Sequence, residues 1–181
     1  MGFLSWWLFM ALSLNAAPTR IPDPPCHVRD GKGWPVPCPD ADAAVIRAYD
    51  AWPAHGPVVR AARLSLGTAR TRVAVGEPVR VLHVMESLGK PQLWIMGPKA
   101  IEGELVDGAP RTPPLPAGLA ESDTPWQSGT YDGAVLDGPG IDTNFDITEY
   151  RFDTPGRHTI EWRLGRWRSN TLVITVVAPA R

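Results

Sequence analysis

The residues of this 181-residue chain whose types could do chemistry are four histidines, a short acidic run, an arginine-flanked tryptophan and two cysteines. His27, His55, His83 and His158 are scattered, and no G-x-S-x-G, H-E-x-x-H or H-x-E with C-x-x-C accompanies them. A Ser/His/Asp set can be drawn from almost any chain with these residues, so spacing selects no nucleophile. His83 falls on the strand face of Val79, Val81 and Met85, where a buried, hydrogen-bonded histidine is the expected reading. No catalytic residue and no cofactor is assigned.

The acidic run is YDGAVLDGPGIDTNFD, with Asp132, Asp137, Asp142 and Asp146. Hard cations such as Ca²⁺ take six to eight oxygens, and Asp137, Asp142, Asn144 and Asp146 on a glycine-rich loop could offer them. The spacing is not that of an EF-hand, and Asp-Gly pairs are ordinary turn formers. Turn chemistry is the first expectation here. A Ca²⁺ site, or a metal-dependent hydrolase built on loop 137–146, is the alternative.

A different chemistry, that of contact, is offered by Arg163-Leu164-Gly165-Arg166-Trp167-Arg168-Ser169. Read as the turn between two strands, it projects Arg166, Trp167 and Arg168 at one end of a sheet. Tryptophan and arginine are favoured interface residues because they carry much area and can stack or form bidentate pairs. The competing reading folds Trp167 back on the sheet and leaves the arginines solvated. Trp126, in the proline-rich D-T-P-W-Q-S-G, is the next contact candidate by the same logic.

Cys26 and Cys38 enclose HVRDGKGWPVP, whose glycines and prolines let it double back. In an oxidising compartment the pair forms one disulfide. Closing so short a loop contributes on the order of 3 kcal/mol in the chain-entropy model. A metal role would need C-x-x-C or recruitment of His27 and a distant group, so the disulfide is expected.

These residues need elements to position them. Asp40–Trp52 reads as the single convincing helix, with Asp40 or Asp42 as cap, Val45, Tyr49 and Trp52 as an apolar stripe, and Pro53 as its stop. From Val58 the chain is strand-like. Strands are expected over Ala62–Ala69 and Thr71–Val75 (broken at Gly67), Val79–Glu86, Gln92–Met96, Ile101–Val106 and Thr130–Leu136. Residues 107–129 carry five prolines and read as a long loop. Asn144–Phe152, Arg157–Leu164 and Asn170–Val177 close the series. In the second of these, Ile160, Trp162 and Leu164 alternate with Thr159, Glu161 and Arg163, the period of a sheet with one buried face. Asp153-Thr154-Pro155-Gly156 supplies a corner, since proline fixes φ and glycine permits φ > 0.

Composition agrees. Twenty prolines and 17 glycines make about a fifth of the chain, against roughly 12% in average usage. Eighteen basic and 19 acidic residues leave a net charge of −1, so no long-range field favours nucleic acid or an anionic membrane. At the start, Gly2–Leu14 is apolar and uncharged and gives way to Asn15-Ala16-Ala17. It is shorter than the roughly 20 residues of a spanning helix and reads as a signal peptide over 1–17. An uncleaved anchor is the alternative. Pro24-Pro25 before Cys26 is unlike a lipobox.

Short strands with turns every 8–12 residues indicate an antiparallel sandwich or barrel. Val75-Gly76-Glu77-Pro78-Val79 entering an apolar strand resembles the early strands of bacterial immunoglobulin-like domains. Phe152-Asp153-Thr154-Pro155-Gly156-Arg157-His158-Thr159-Ile160, followed by Ser169-Asn170-Thr171-Leu172, resembles their last two strands. The resemblance covers 64–177 and implies an all-β, antiparallel immunoglobulin-like sandwich of about seven strands. It transfers no functional residue, and the cysteines lie outside the sandwich. The organisation expected is a signal peptide (1–17), a disulfide-tied arm and helix (18–57) and the sandwich (58–181). The function expected is an exported, non-catalytic module, periplasmic or secreted, that binds a protein of the cell envelope through loops at an end of the sandwich. No nucleic acid is expected as a partner, and no membrane once the signal is cleaved. An inhibitor of a secreted protease is a narrower form of the same expectation.

Overall fold

In the computed structural model, residues 26–89, 92–95, 98–114, 134–137 and 139–178 are described. The candidate signal peptide therefore lies outside the described residues. The chain enters as a hairpin of β1 (His27–Arg29) and β2 (Pro35–Pro37), closed by the Cys26–Cys38 disulfide. The glycines and prolines between the cysteines do let the segment double back. Helix α1 (Asp40–Arg47) follows, then a 3-10 turn over Tyr49–Ala51. The helix is thus shorter than the periodicity predicts, and Pro39 stands at its start with no side-chain cap. Asp42 instead turns to Arg80, whose Nε lies 2.9 Å away. The buried stripe accordingly runs through Asp42, Ala43, Ile46 and Tyr49, with Val45 and Trp52 at its half-buried margin.

Two sheets face each other across one core. β3 (Ala62–Gly67) leads to β4 (Arg72–Ala74) and then to β5 (Pro78–Ser87), the longest strand described. β6 (Gln92–Ile95), β7 (Glu104–Val106), β8 (Ala109–Pro110) and β9 (Ala134–Asp137) are short. β10 (Gly140–Asp142), β11 (Thr148–Arg151), β12 (Gly156–Leu164), β13 (Trp167–Arg168) and β14 (Leu172–Val177) complete the order. The first sheet centres on β5, with β3 along one edge and β10 and β11 sharing the other. Ile141 faces Glu86 and Thr148 faces Val81, so the stretch between β10 and β11 carries two residues more than the strand it follows. The second sheet runs β4-β14-β12-β7-β8, antiparallel except where β4 joins β14 in parallel. β6 and β9 pair separately.

β5 is buried almost throughout because both of its faces are covered, and its polar His83, Glu86 and Ser87 are buried with the rest. Val79, Val81 and Met85 enter the inter-sheet core with Leu64, Leu66, Ile160, Trp162, Ile174 and Val176. Leu82 and Val84 enter a second cluster with Ile46, Tyr49, Ile141 and both cysteines. The helix and the arm thus form a third layer on the outer face of the first sheet. Two contacts anchor the arm to the loop after β10, His27 Nδ1 to Asn144 Oδ1 at 3.0 Å and Arg29 to Asp146 at 3.5 Å, and Arg29 also reaches the Pro98 carbonyl ahead of β7. Among the described residues no helix is long and apolar enough to cross a membrane.

Candidate contact surfaces and polar clusters

The hairpin between β12 and β13 is tighter than Gly165–Ser169. Leu164 faces Trp167 and Arg163 faces Arg168, leaving only Gly165 and Arg166 to turn the chain. Gly165 takes φ 55° at the first central position, as a two-residue Gly-X hairpin requires. This register puts Trp167 on the same face as buried Leu164. The indole is 1% exposed, and its Nε1 donates to the Val59 carbonyl at 3.0 Å. The expected outward projection of Trp167 is therefore corrected: the ring is an internal anchor and presents no area to a partner. Arg166 and Arg168 are exposed, the Arg166 guanidinium lying 5.5 Å from the Trp167 ring centre. Trp126 lies outside the described residues.

Within 137–146, the described side chains of Asp142, Asn144 and Asp146 are engaged by neighbouring groups. Lys99 Nζ binds Asp142 Oδ2 and sits 4.2 Å over the Phe145 ring. Asp142 Oδ1 accepts from the Asn144 amide at 2.9 Å. Asn144 itself meets His27, and Asp146 meets Arg29. These oxygens serve the arm and Lys99, whose ammonium is pushed down by burial against the pull of Asp142. Asp137 closes β9, and Asp132 lies outside the described residues. Among the described residues no three His, Cys, Asp or Glu side chains are grouped to hold a metal ion.

Two polar clusters are buried. In the inter-sheet core, His83 Nε2–H donates to Glu104 Oε1 at 3.0 Å, and the imidazole meets the Trp162 ring edge-to-face. Glu104 is fully buried and also accepts from Thr148 Oγ1 and Tyr150 Oη. Burial alone would raise its carboxyl, but these donors, His83 foremost, hold it below the usual carboxylate range. His83 Nδ1 has no hydrogen-bond partner among the described residues. Outside β5, Tyr49 Oη donates to Glu86 Oε2 at 2.8 Å, and Arg63 Nε binds the same oxygen. Ser65 Oγ stands 3.3 Å from Tyr49 Oη and 3.4 Å from His55 Nδ1. This is the nearest approach to a serine–histidine pair described here, yet Ser65 is 0% exposed. A buried hydroxyl sharing long contacts with two neighbours is a strut between layers and offers no path to a substrate.

Sequence reasoning did not single out Trp34. It stands at the tip of the β1–β2 hairpin and is 68% exposed, the most open large apolar side chain described. The tip is rigidly closed. Asp30 Oδ1 accepts from the Lys32 and Trp34 amides at 2.8 and 2.9 Å, the Asp30 amide bonds to the Trp34 carbonyl, and the Gly33 amide bonds to the Asp30 carbonyl. The signal was present in D-G-K-G-W. An aspartate followed by two glycines is a turn that closes on its own carboxylate, and a tryptophan there has no core to enter.

No known family's model matches this chain, and neither do any curated protein or solved structure with which it was compared. An apolar groove of about 230 Å³ beside Trp52 and Leu172 falls below the roughly 300–1,000 Å³ of small-molecule sites.

Proposed function

We propose that the protein is an exported, immunoglobulin-like module that binds a protein of the cell envelope, with Trp34 as its principal contact. The observation that carries this reading is the Trp34 indole, left open at the apex of a turn fixed by the Asp30 carboxylate and tied at its base by the disulfide. A large aromatic carried on a backbone already fixed before contact leaves less chain to order on binding, which suits an interface anchor. Arg166 and Arg168 remain secondary contacts.

Strand order supports the immunoglobulin-like reading. The chain pairs first with β5 through β3, then crosses to lie parallel to β14 through β4. β11 returns to the other edge of β5, while β12 sits between β14 and β7. This matches an A-B-E sheet facing a G-F-C sheet. A disulfide fits an oxidising compartment and supports export to the periplasm or beyond.

The test immobilises oxidised protein from residue 18 onward and exposes it to envelope extract of its own source cells, with Trp34→Ala alongside. One envelope protein held by the wild type and released by Trp34→Ala supports the proposal. Equal retention by both moves the contact elsewhere, and retention by neither removes the binding function.

A further inference from the structure

The outer face of the second sheet carries a pattern that its core does not explain. Along β12 the outward residues are Arg157, Thr159, Glu161 and Arg163, against inward Ile160, Trp162 and Leu164. Register extends each row across the sheet. Arg157 faces Thr175, which faces Arg72 on β4; Thr159 faces Val173; Glu161 faces Leu105; Arg163 faces Arg168. Arg72, Arg157, Arg163 and Arg168 are all exposed. Arginines therefore stand in pairs at both ends of the face, with hydroxyls, Val173 and Leu105 between them.

One of these pairs is costly. Like charges directly opposite each other on neighbouring strands destabilise a sheet, and Arg163 opposes Arg168. Glu161 is one of two carboxylates at the face, the other being Asp107, whose Oδ1 accepts from the Thr159 amide at 2.8 Å. Glu161 takes Arg163 Nη2 at 2.6 Å and Thr171 Oγ1 at 3.1 Å, and is held below the usual carboxylate range by Arg163 first, with Arg168 contributing. Two carboxylates meet four guanidiniums, in a chain whose net charge is −1. Positive charge is thus in excess on this face.

We infer that this face binds an extended acidic segment of a protein partner, laid along β12 with carboxylates at both arginine pairs. Arg157 and Arg163 are six residues apart on one strand, or ~20 Å at strand rise. An extended ligand has the same rise, so its acidic positions also stand six residues apart. Arginine forks suit carboxylates because they bind them bidentately. Among the described residues the face displays no exposed aromatic ring on which a base could stack, as single-stranded nucleic acid would require. The surface is separate from the arm tip and does not depend on Trp34.

The experiment titrates full-length oxidised protein with fluorescent peptides in low salt, read by anisotropy. The peptides carry Glu-Glu at both ends, with acidic positions six or three residues apart in a Thr/Val background, and a Lys-Lys version serves as control. Preference for the six-residue spacing is expected. Affinity should fall about tenfold in Arg72→Ser/Arg157→Ser and again in Arg163→Ser/Arg168→Ser, with unchanged melting temperatures and full binding by Trp34→Ala. Equal affinity for the two spacings, or unaltered binding by both double variants, overturns the proposal. Heparin fragments binding while the acidic peptides do not also overturns it, in favour of an anionic glycan.

Discussion

Single residues in this protein acquire their roles from register and from distant partners more than from type. Trp167 and Trp34 are the same residue in opposite situations, one sealed beneath a hairpin and the other open on a turn. Trp167→Ala is expected to lower stability by about 3–5 kcal/mol, as large-to-small changes of buried aromatics do, and also to remove the indole donor from the Val59 carbonyl, which keeps the Ala62 amide. Trp34→Ala should change stability by no more than about 0.5 kcal/mol. Denaturant titration of the two variants separates them. Histidines differ in the same way. His158 Nδ1 meets Asp107 at 2.7 Å, and that bond holds its pKa above the usual value. His55 is pushed below its usual value by burial and by Arg63. His158 thus contributes stability fully below about pH 6.5, lost as pH rises through its folded pKa. His55 contributes stability above that value, lost as pH falls through its own. Ring-proton NMR should show His158 titrating above His55, with Asp107→Asn lowering the His158 midpoint.

At the scale of elements, much was legible. Alternation in the last two strands and the apolar run of β5 predict strands that the structure places within a residue or two, and Gly156 takes its positive φ at the corner. What periodicity could not say was which face a turn would leave outward. A five-residue turn at Gly165–Ser169 exposes Trp167, whereas the actual two-residue turn continues the pairing and buries it. The candidate sites were less legible because their partners are far apart in the chain. Glu104 lies 46 residues from Tyr150 and Asp142 lies 43 from Lys99, so no local pattern reveals that those carboxylates are already engaged. The edge of β3 shows the same economy. Asn170 accepts from the Leu66 amide at 2.8 Å and donates to the Leu66 carbonyl at 3.0 Å, standing in for a neighbouring strand. Asn170→Ala should cost about 1–3 kcal/mol by leaving both groups unpaired, visible as faster amide exchange at Leu66.

Over the whole molecule, two cores of different character share one strand. The inter-sheet core is built from long-range strand pairing, while the outer layer rests on a short helix, Tyr49 and the disulfide. Reduction should therefore remove on the order of 3 kcal/mol chiefly from the outer layer. Hydrogen exchange after reduction is expected to rise in 27–51 while Ile160, Trp162 and Ile174 stay protected. Uniform acceleration through both cores would show that the layers unfold as one unit.

The position of β14 has a consequence for how the protein is made. It is the last strand described along the chain, yet it lies inside its sheet, between β4 and β12. A ribosome releases 72–74 about a hundred residues before the partner they need at 175–177. Until then β4 has nothing to lie against and β12 lacks one edge, so the growing chain cannot close its sandwich early. Pairing across such separations is slow. The two-sheet core therefore closes only after residues 175–177 have emerged to fill the gap between β4 and β12.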